Sequence, residues 1–484
     1  MNRSCGDDLN LGVLVSVLML ILAVWLLAPA GRIWAQEYET PPVLKASEVL
    51  PSEMQRGDRF VVQEQVRNDG FMNYYIVNSD FGEFEAYGNP ALAKLIQEIG
   101  ALDQLDEVSK SKVFADSVKK SATGQVEAVQ QFADKPVETV KGVPGGLKRS
   151  FKKYKRDAGE GYETAKDVTG VGGGGDDDEA EGDEAEGEGD EAGSDDDEDE
   201  GESDEESSSS EDAKELAGKT TDAAEAYAKK WFGVGAAERR WHEQLGTDPY
   251  TTNAVLRKRI KELSKVAAAT NTGMRFAPIP RIPGARELHT LNQIVWSVDP
   301  RELREQNIKR LVEAGVDEEL IEQFINNPWF SPTGQTILLT ALLEMEGVEG
   351  RRVLLEIAST TESAEEAQFD LGNIMFLGAY HRSVKPIARL LPGRVAVAIT
   401  QDGDMLKIVS VDYAFWQQDL AGAVTTFVEA VANEPATTRE IWLRGKASSR
   451  FQEELDARGW TVHEAVELDP RARVSDGSSP NFRR

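Results

Sequence analysis

The chain has 484 residues, a net charge of −31 at pH 7 and a single cysteine. That length excludes one small domain and leaves room for about two to four, and one cysteine excludes a disulfide framework. The acidity describes a segment and not the folded parts: Asp176–Asp212 holds 23 Asp and Glu and no Lys or Arg, and with those charges set aside the rest carries −8.

Residues 11–30, LGVLVSVLMLILAVWLLAPA, hold no charge in twenty positions. The run exceeds the ~7–15 apolar residues of a secretory signal and matches the ~20 that span a bilayer. Residues 1–35 are therefore expected to be a cleaved signal peptide ending near Ala35 or a retained anchor, and in both cases the rest is exported to the periplasm or cell envelope. Cys5 precedes the apolar run, so cleavage would leave no thiol for a metal site or a nucleophile.

Over 36–107 the spacing predicts a β-meander followed by a helix. Runs rich in Val, Tyr, Ile and Phe near 59–66, 71–78 and 81–87 are separated by Asn68-Asp69-Gly70 and Asn78-Ser79-Asp80; Asp-Gly between such runs is a hairpin signal. A helix opens at Asn89-Pro90, with Leu92, Leu95, Ile96 and Ile99 on one face. Phe71, Tyr74, Tyr75, Phe81, Phe84 and Tyr87 supply core, or a binding platform.

Residues 108–170 read as helical and end in a basic stretch. On a helix Leu147, Phe151 and Tyr154 fall on one stripe, flanked by Lys148, Arg149, Lys152, Lys153, Lys155 and Arg156. Rings entering the headgroup boundary with cations beside anionic phosphates suit an interfacial helix; packing on a neighbouring helix is the plainer alternative. A membrane surface or other anionic partner is the expected contact, a protein partner is possible in principle, and export removes nucleic acid from consideration. The acidic linker 171–213 has no residue large and apolar enough to seed a core, so disorder is expected there.

Residues 214–285 predict a helical hairpin region in which Gly246 stops one helix, Asp248-Pro249 turns the corner and Asn253 caps the next. The stretch LGTDPYTTNAVL, arriving after a GVPGG-type basic segment, resembles a pattern found in exported bacterial proteins of uncharacterised function, over about 130–300. The resemblance implies an envelope location and no activity.

From 286 to 392 the punctuation is that of a helical bundle, with Asp299-Pro300, Asp317 and Ser331-Pro332 opening helices and Gly315 and Gly347 closing them. Residues 393–470 switch to a small α/β unit: RVAVAIT and MLKIVSV joined at Gln401-Asp402-Gly403-Asp404, then helix, strand, helix, strand, with the last strands expected to be parallel. Residues 471–484 form a tail. The fold class expected is thus α+β, in several parts.

Chemistry is thinly signalled. Asp402 and Asp404 are explained by their turn. Lys446, Ser448 and Ser449 lie between a strand and a helix and could hold an anion at the helix N-terminus, although capping explains the serines and no P-loop pattern is present. His242, His289, His381 and His463 lack metal-ligand spacing. No cofactor, metal or catalytic residue is expected. The function expected is that of a non-catalytic envelope protein binding a membrane surface or partner, with a hydrolase or anion-binding enzyme in the C-terminal unit as the alternative.

Overall fold

A computed structural model describes residues 38–110, 211–267 apart from 212 and 220, and 292–468 apart from 394 and 395. The apolar leader 11–30, the basic stretch 147–156, nearly all of the acidic linker and the tail lie outside the described residues. The described residues from Pro41 onward belong to one compact unit, and its class is α+β. Among the described residues no helix is long and apolar enough to cross a membrane.

The first hairpin forms where Asn68-Asp69-Gly70 places it. The Asn68 Oδ1 accepts from the Gly70 N–H at 2.6 Å, and the Asp69 Oδ1 accepts from Phe71 and Met72 at 3.0 and 2.9 Å; side chains that bond their own backbone this way fix turns. The expected strand 59–66 is two, β3 (Phe60–Val62) and β4 (Gln65–Asn68), both antiparallel to one edge of β5 (Asn73–Ser79). They are broken at Gln63 and Glu64, where only the Gln63 N–H still reaches the Ile76 carbonyl, at 2.8 Å. Two-residue strands β1 (Leu44–Lys45) and β2 (Arg56–Gly57) extend the outside. On its other edge β5 pairs with β6 (Gly82–Tyr87), in the register Tyr74–Tyr87 to Ser79–Gly82, and β6 pairs with no other described strand.

Helix α1 (Asn89–Lys110) packs its buried Leu92, Ile96, Ile99 and Leu102 under this sheet. The same core takes in Trp241 and Leu245 of α3 (Ala236–Leu245) and Leu256 and Ile260 of α4 (Ala254–Ala267), which α2 (Asp222–Trp231) precedes. Segments expected as separate regions therefore share one interior.

Helices α5 (Asn292–Ser297), α6 (Pro300–Glu313), α7 (Glu318–Ile325), α8 (Pro332–Glu344), α9 (Val353–Ser359) and α10 (Ala364–Ser383) form the bundle. Asp299, Asp317 and Ser331 cap α6, α7 and α8 with their side-chain oxygens, as the sequence predicts. The second sheet runs β13-β11-β9-β8-β7. Its strands are β7 (Ile387–Leu391), β8 (Val397–Thr400), β9 (Met405–Val409), β11 (Arg439–Leu443) and β13 (Thr461–His463), while the short β10 (Tyr413–Ala414) and β12 (Lys446–Ala447) pair with each other; α11 (Gln418–Ala430) and α12 (Ser449–Asp456) form its crossovers. Strands β11 and β13 are parallel, as expected, and β9 is parallel to β11 as well. Strand β7 falls inside the stretch read as bundle and pairs antiparallel with β8; Ile387 and Leu390 enter a core that also holds Phe324, Leu342, Leu354 and Trp442. The linker's end contributes too: Ala213 is helical and buried in that core.

Candidate functional site

Four stretches distant in sequence enclose a cavity of about 680 Å³: β6 with the start of α1, the loop 248–255, the segment 329–337 at the head of α8, and the first turns of α10. Ser410 and Arg444, which directly follow β9 and β11, close one end. The volume lies in the range of small-molecule sites.

The loop after α3 builds the polar wall. Gly246 ends that helix in the left-handed conformation (φ +65°), freeing the chain to turn back toward α1. The Asp248 Oδ2 then lies 2.9 Å from the Lys94 Nζ, while its Oδ1 accepts from the Thr333 hydroxyl at 2.7 Å and from the Tyr250 N–H at 3.0 Å. One helical turn beyond Lys94, Glu98 accepts from the Thr251 hydroxyl at 2.5 Å and the Asn253 amide at 3.0 Å. Asn253 also caps α4, its Oδ1 accepting from Val255 and Leu256 at 3.1 Å. Both residues line the cavity, the Asp248 side chain 4% exposed and that of Lys94 28%.

Burial governs the charges here. It disfavours both ions of the pair, but Asp248 and Glu98 hold the Lys94 ammonium above the usual lysine value, and Lys94 and the Thr333 hydroxyl hold Asp248 below the usual carboxylate value. Glu98 has its own proton affinity raised by burial. Of the charged residues lining the cavity, five are acids (Glu83, Glu85, Glu98, Asp248, Glu365) and two are bases (Lys94, Arg444), which disfavours an anionic occupant. Apolar walls come from Phe84, Leu95, Phe330 and Leu371. At the rim Trp329 is 40% exposed, with the Lys230 ammonium 4.7 Å from its ring centroid and 4.9 Å from that of Trp231.

Below the Arg444 end lies a second buried carboxyl. The Asp412 Oδ2 accepts from the Asn73 N–H at 2.9 Å and the Asn89 N–H at 3.1 Å, joining the first sheet to the second. Burial pushes its pKa up to about 7. Gly445 packs so close that a Cβ there would come within 2.0 Å of the Asp412 carbonyl oxygen.

The residues singled out in sequence lie elsewhere. The Ser448 hydroxyl accepts from the Phe451 N–H at 3.1 Å and caps α12; Ser449 is that helix's first residue, Lys446 is exposed, and none of the three lines the cavity. The nine candidate residues between Leu147 and Arg156 lie outside the described residues. Asp404 is buried against the Lys385 ammonium at 2.5 Å and the Thr438 hydroxyl at 2.9 Å. His242 bonds Thr247 at 2.8 Å, and burial brings its pKa down to about 4; the His381 Nδ1 accepts from the Ile387 N–H at 3.0 Å; His289 lies outside the described residues. Among the described residues no three metal-binding side chains converge. Of the six aromatics, Phe71, Tyr74 and Tyr75 are buried and do not line the cavity, whereas Phe81, Phe84 and Tyr87 do.

Lys94, Glu98, Asp248, Thr251, Thr333 and Arg444 carry the site; of these the sequence marks only Asp248, and as a turn residue. No local signal marks Lys94 and Glu98, which sit one turn apart and off the face that Leu92, Leu95, Ile96 and Ile99 share. Set against family models, curated proteins and solved structures, the chain matches none.

Proposed function

We propose that this is an exported protein of the cell envelope that acts by binding, and that the cavity between β6, α1, α8 and α10 is its binding site. The observation that carries the proposal is a preformed cavity of about 680 Å³ with the Lys94–Asp248 ion pair set into its wall. Convergent polar groups on an otherwise apolar concave surface are the usual make-up of a ligand site. The acidic balance of the lining selects a neutral or cationic ligand. The uncharged run 11–30 and the resemblance of LGTDPYTTNAVL to exported proteins support the location, and the basic stretch 147–156 would hold the protein to an anionic surface.

The test is uptake of ligand from envelope extract, followed by native mass spectrometry and thermal shift, for the natural protein and for Ala91→Trp, which places a ring in the cavity from α1. The proposal expects a bound mass and a raised melting temperature in the natural protein and neither in the variant. A shift of equal size in both, or none in either, refutes it.

A further inference from the structure

We infer that the ligand is an extended, basic segment of a partner polypeptide, which adds to the first sheet as a strand along the free edge of β6. This deepens the binding proposal and rests on the cavity being the site.

The hydrogen-bond alternation of β5 and β6 shows which groups are open. The Gly88 N–H donates to the Asn73 carbonyl at 2.8 Å, just past the Tyr74–Tyr87 pair. Antiparallel pairs alternate between bonded and non-bonded, so Ala86, Phe84 and Gly82 direct their backbone groups toward β5. Glu83, Glu85 and Tyr87 therefore direct theirs outward. The Tyr87 carbonyl accepts from the Gln368 amide of α10 at 3.0 Å, on that outward side. Among the described residues nothing bonds the outward N–H and C=O of Glu83 or Glu85.

Proteins blunt an open edge with proline, a bulge, lysine, or by laying another element against it. Residues 81–87 hold no proline or lysine, and every one of them lines the cavity. Among the described residues α10 bonds this edge at Tyr87, and the cavity runs beside Glu83 and Glu85. Strand addition to such an edge is a recurrent mode of peptide capture: main-chain bonds hold the ligand and alternate side chains select it. Selection here is by charge. The exposed Glu83 and Glu85 stand on the edge strand and Glu365 of α10 lines the same cavity, whereas Lys94 is already paired to Asp248. Lysine or arginine at alternate positions of the incoming segment would meet these carboxylates.

The experiment titrates the purified protein with end-capped octapeptides alternating lysine with valine or glutamate with valine, read by fluorescence anisotropy. Two further lysine peptides carry backbone N-methyl groups, one on every lysine, the other on every valine. Successive residues of a strand bond opposite edges. One methylated set should therefore weaken binding at least tenfold while the other leaves it within threefold, and the glutamate peptide should bind at least tenfold more weakly than the lysine peptide. Glu85→Pro, which deletes an outward N–H not used in the fold, should weaken the lysine peptide at least tenfold with an unchanged circular dichroism spectrum; if this variant misfolds, the methylated pair decides alone. Equal effects from both methylated sets overturn strand addition. Binding of an N-acetylglucosamine trimer in place of the peptides overturns the peptide class while the cavity remains the site. If no probe binds, the peptide proposal falls, and the extract experiment separately decides the cavity.

Discussion

Replacing Asp412 by asparagine should change how stability depends on pH. The carboxyl is 7% exposed and bound to two backbone N–H groups, those of Asn73 and Asn89. Arg444 is the cation near enough to favour its ionised form, Asp69 disfavours it, and the buried hydroxyls of Tyr75 and Tyr87 lie in the same field. Burial outweighs the favourable partners and lifts the pKa from 3.8 to about 7. A carboxyl whose folded-state value is raised stabilises the fold fully below its unfolded value and loses that contribution as pH climbs through the folded one. At 1.36 kcal/mol for each tenfold change in proton affinity, the rise corresponds to about 4 kcal/mol lost between about pH 4 and pH 8. The amide of the Asp412→Asn variant keeps an oxygen for the two N–H groups and carries no charge to desolvate. Urea unfolding of both proteins across that interval isolates this group, because titrations uncoupled from Asp412 cancel in the difference. The free energy of the variant relative to the natural protein should climb by about 4 kcal/mol toward high pH. A difference constant to within about 1 kcal/mol would show that Asp412 ionises freely in the fold and would refute the reasoning.

Three other outcomes follow from the same geometry. Lys94→Met leaves Asp248 buried without its cation and should cost about 3–5 kcal/mol in urea unfolding, whereas removal of an exposed pair would cost under about 1. Asn253→Ala strips the cap of α4 and one donor from Glu98, and about 1–3 kcal/mol should be lost by the same assay. Neutral substitutions at Lys152, Lys153 and Lys155 should reduce flotation with anionic liposomes about a hundredfold, at ~1 kcal/mol for each cation; unchanged flotation removes the tether.

Features decided within a few residues were legible in the sequence. Asp299, Asp317 and Ser331 cap because each offers an oxygen to an N–H two or three residues on. The Asn68-Asp69-Gly70 turn is fixed by its own side chains, and the parallel strands near 439–443 and 461–463 follow from a helix too short to do anything but cross between neighbours. Strand β7 escaped because IARLL carries neither period clearly and is recruited by the open edge of β8. The site escaped for a deeper reason. Asp248 sits in a turn motif that the sequence displays, yet its role depends on Lys94 and Thr333, 154 and 85 residues away. A turn reading explains Asp248-Pro249 locally and is silent on what the carboxylate meets. Lys446 and Ser448 stand out in sequence for their position between strand and helix, and the structure gives Ser448 the capping role that the sequence also allows.

Amide hydrogen exchange along β6, resolved by residue, tests the central claim most directly, because it reads the open edge in the protein itself. In the free protein the Glu83 and Glu85 amides should exchange at least about a hundredfold faster than those of Phe84 and Ala86, which lie on the β5 side of the ladder. On saturation with the alternating lysine–valine peptide, Glu83 and Glu85 should become protected while Phe84 and Ala86 stay as they were. Uniform protection along the strand before any ligand is added, or no gain at Glu83 and Glu85 afterwards, would contradict it.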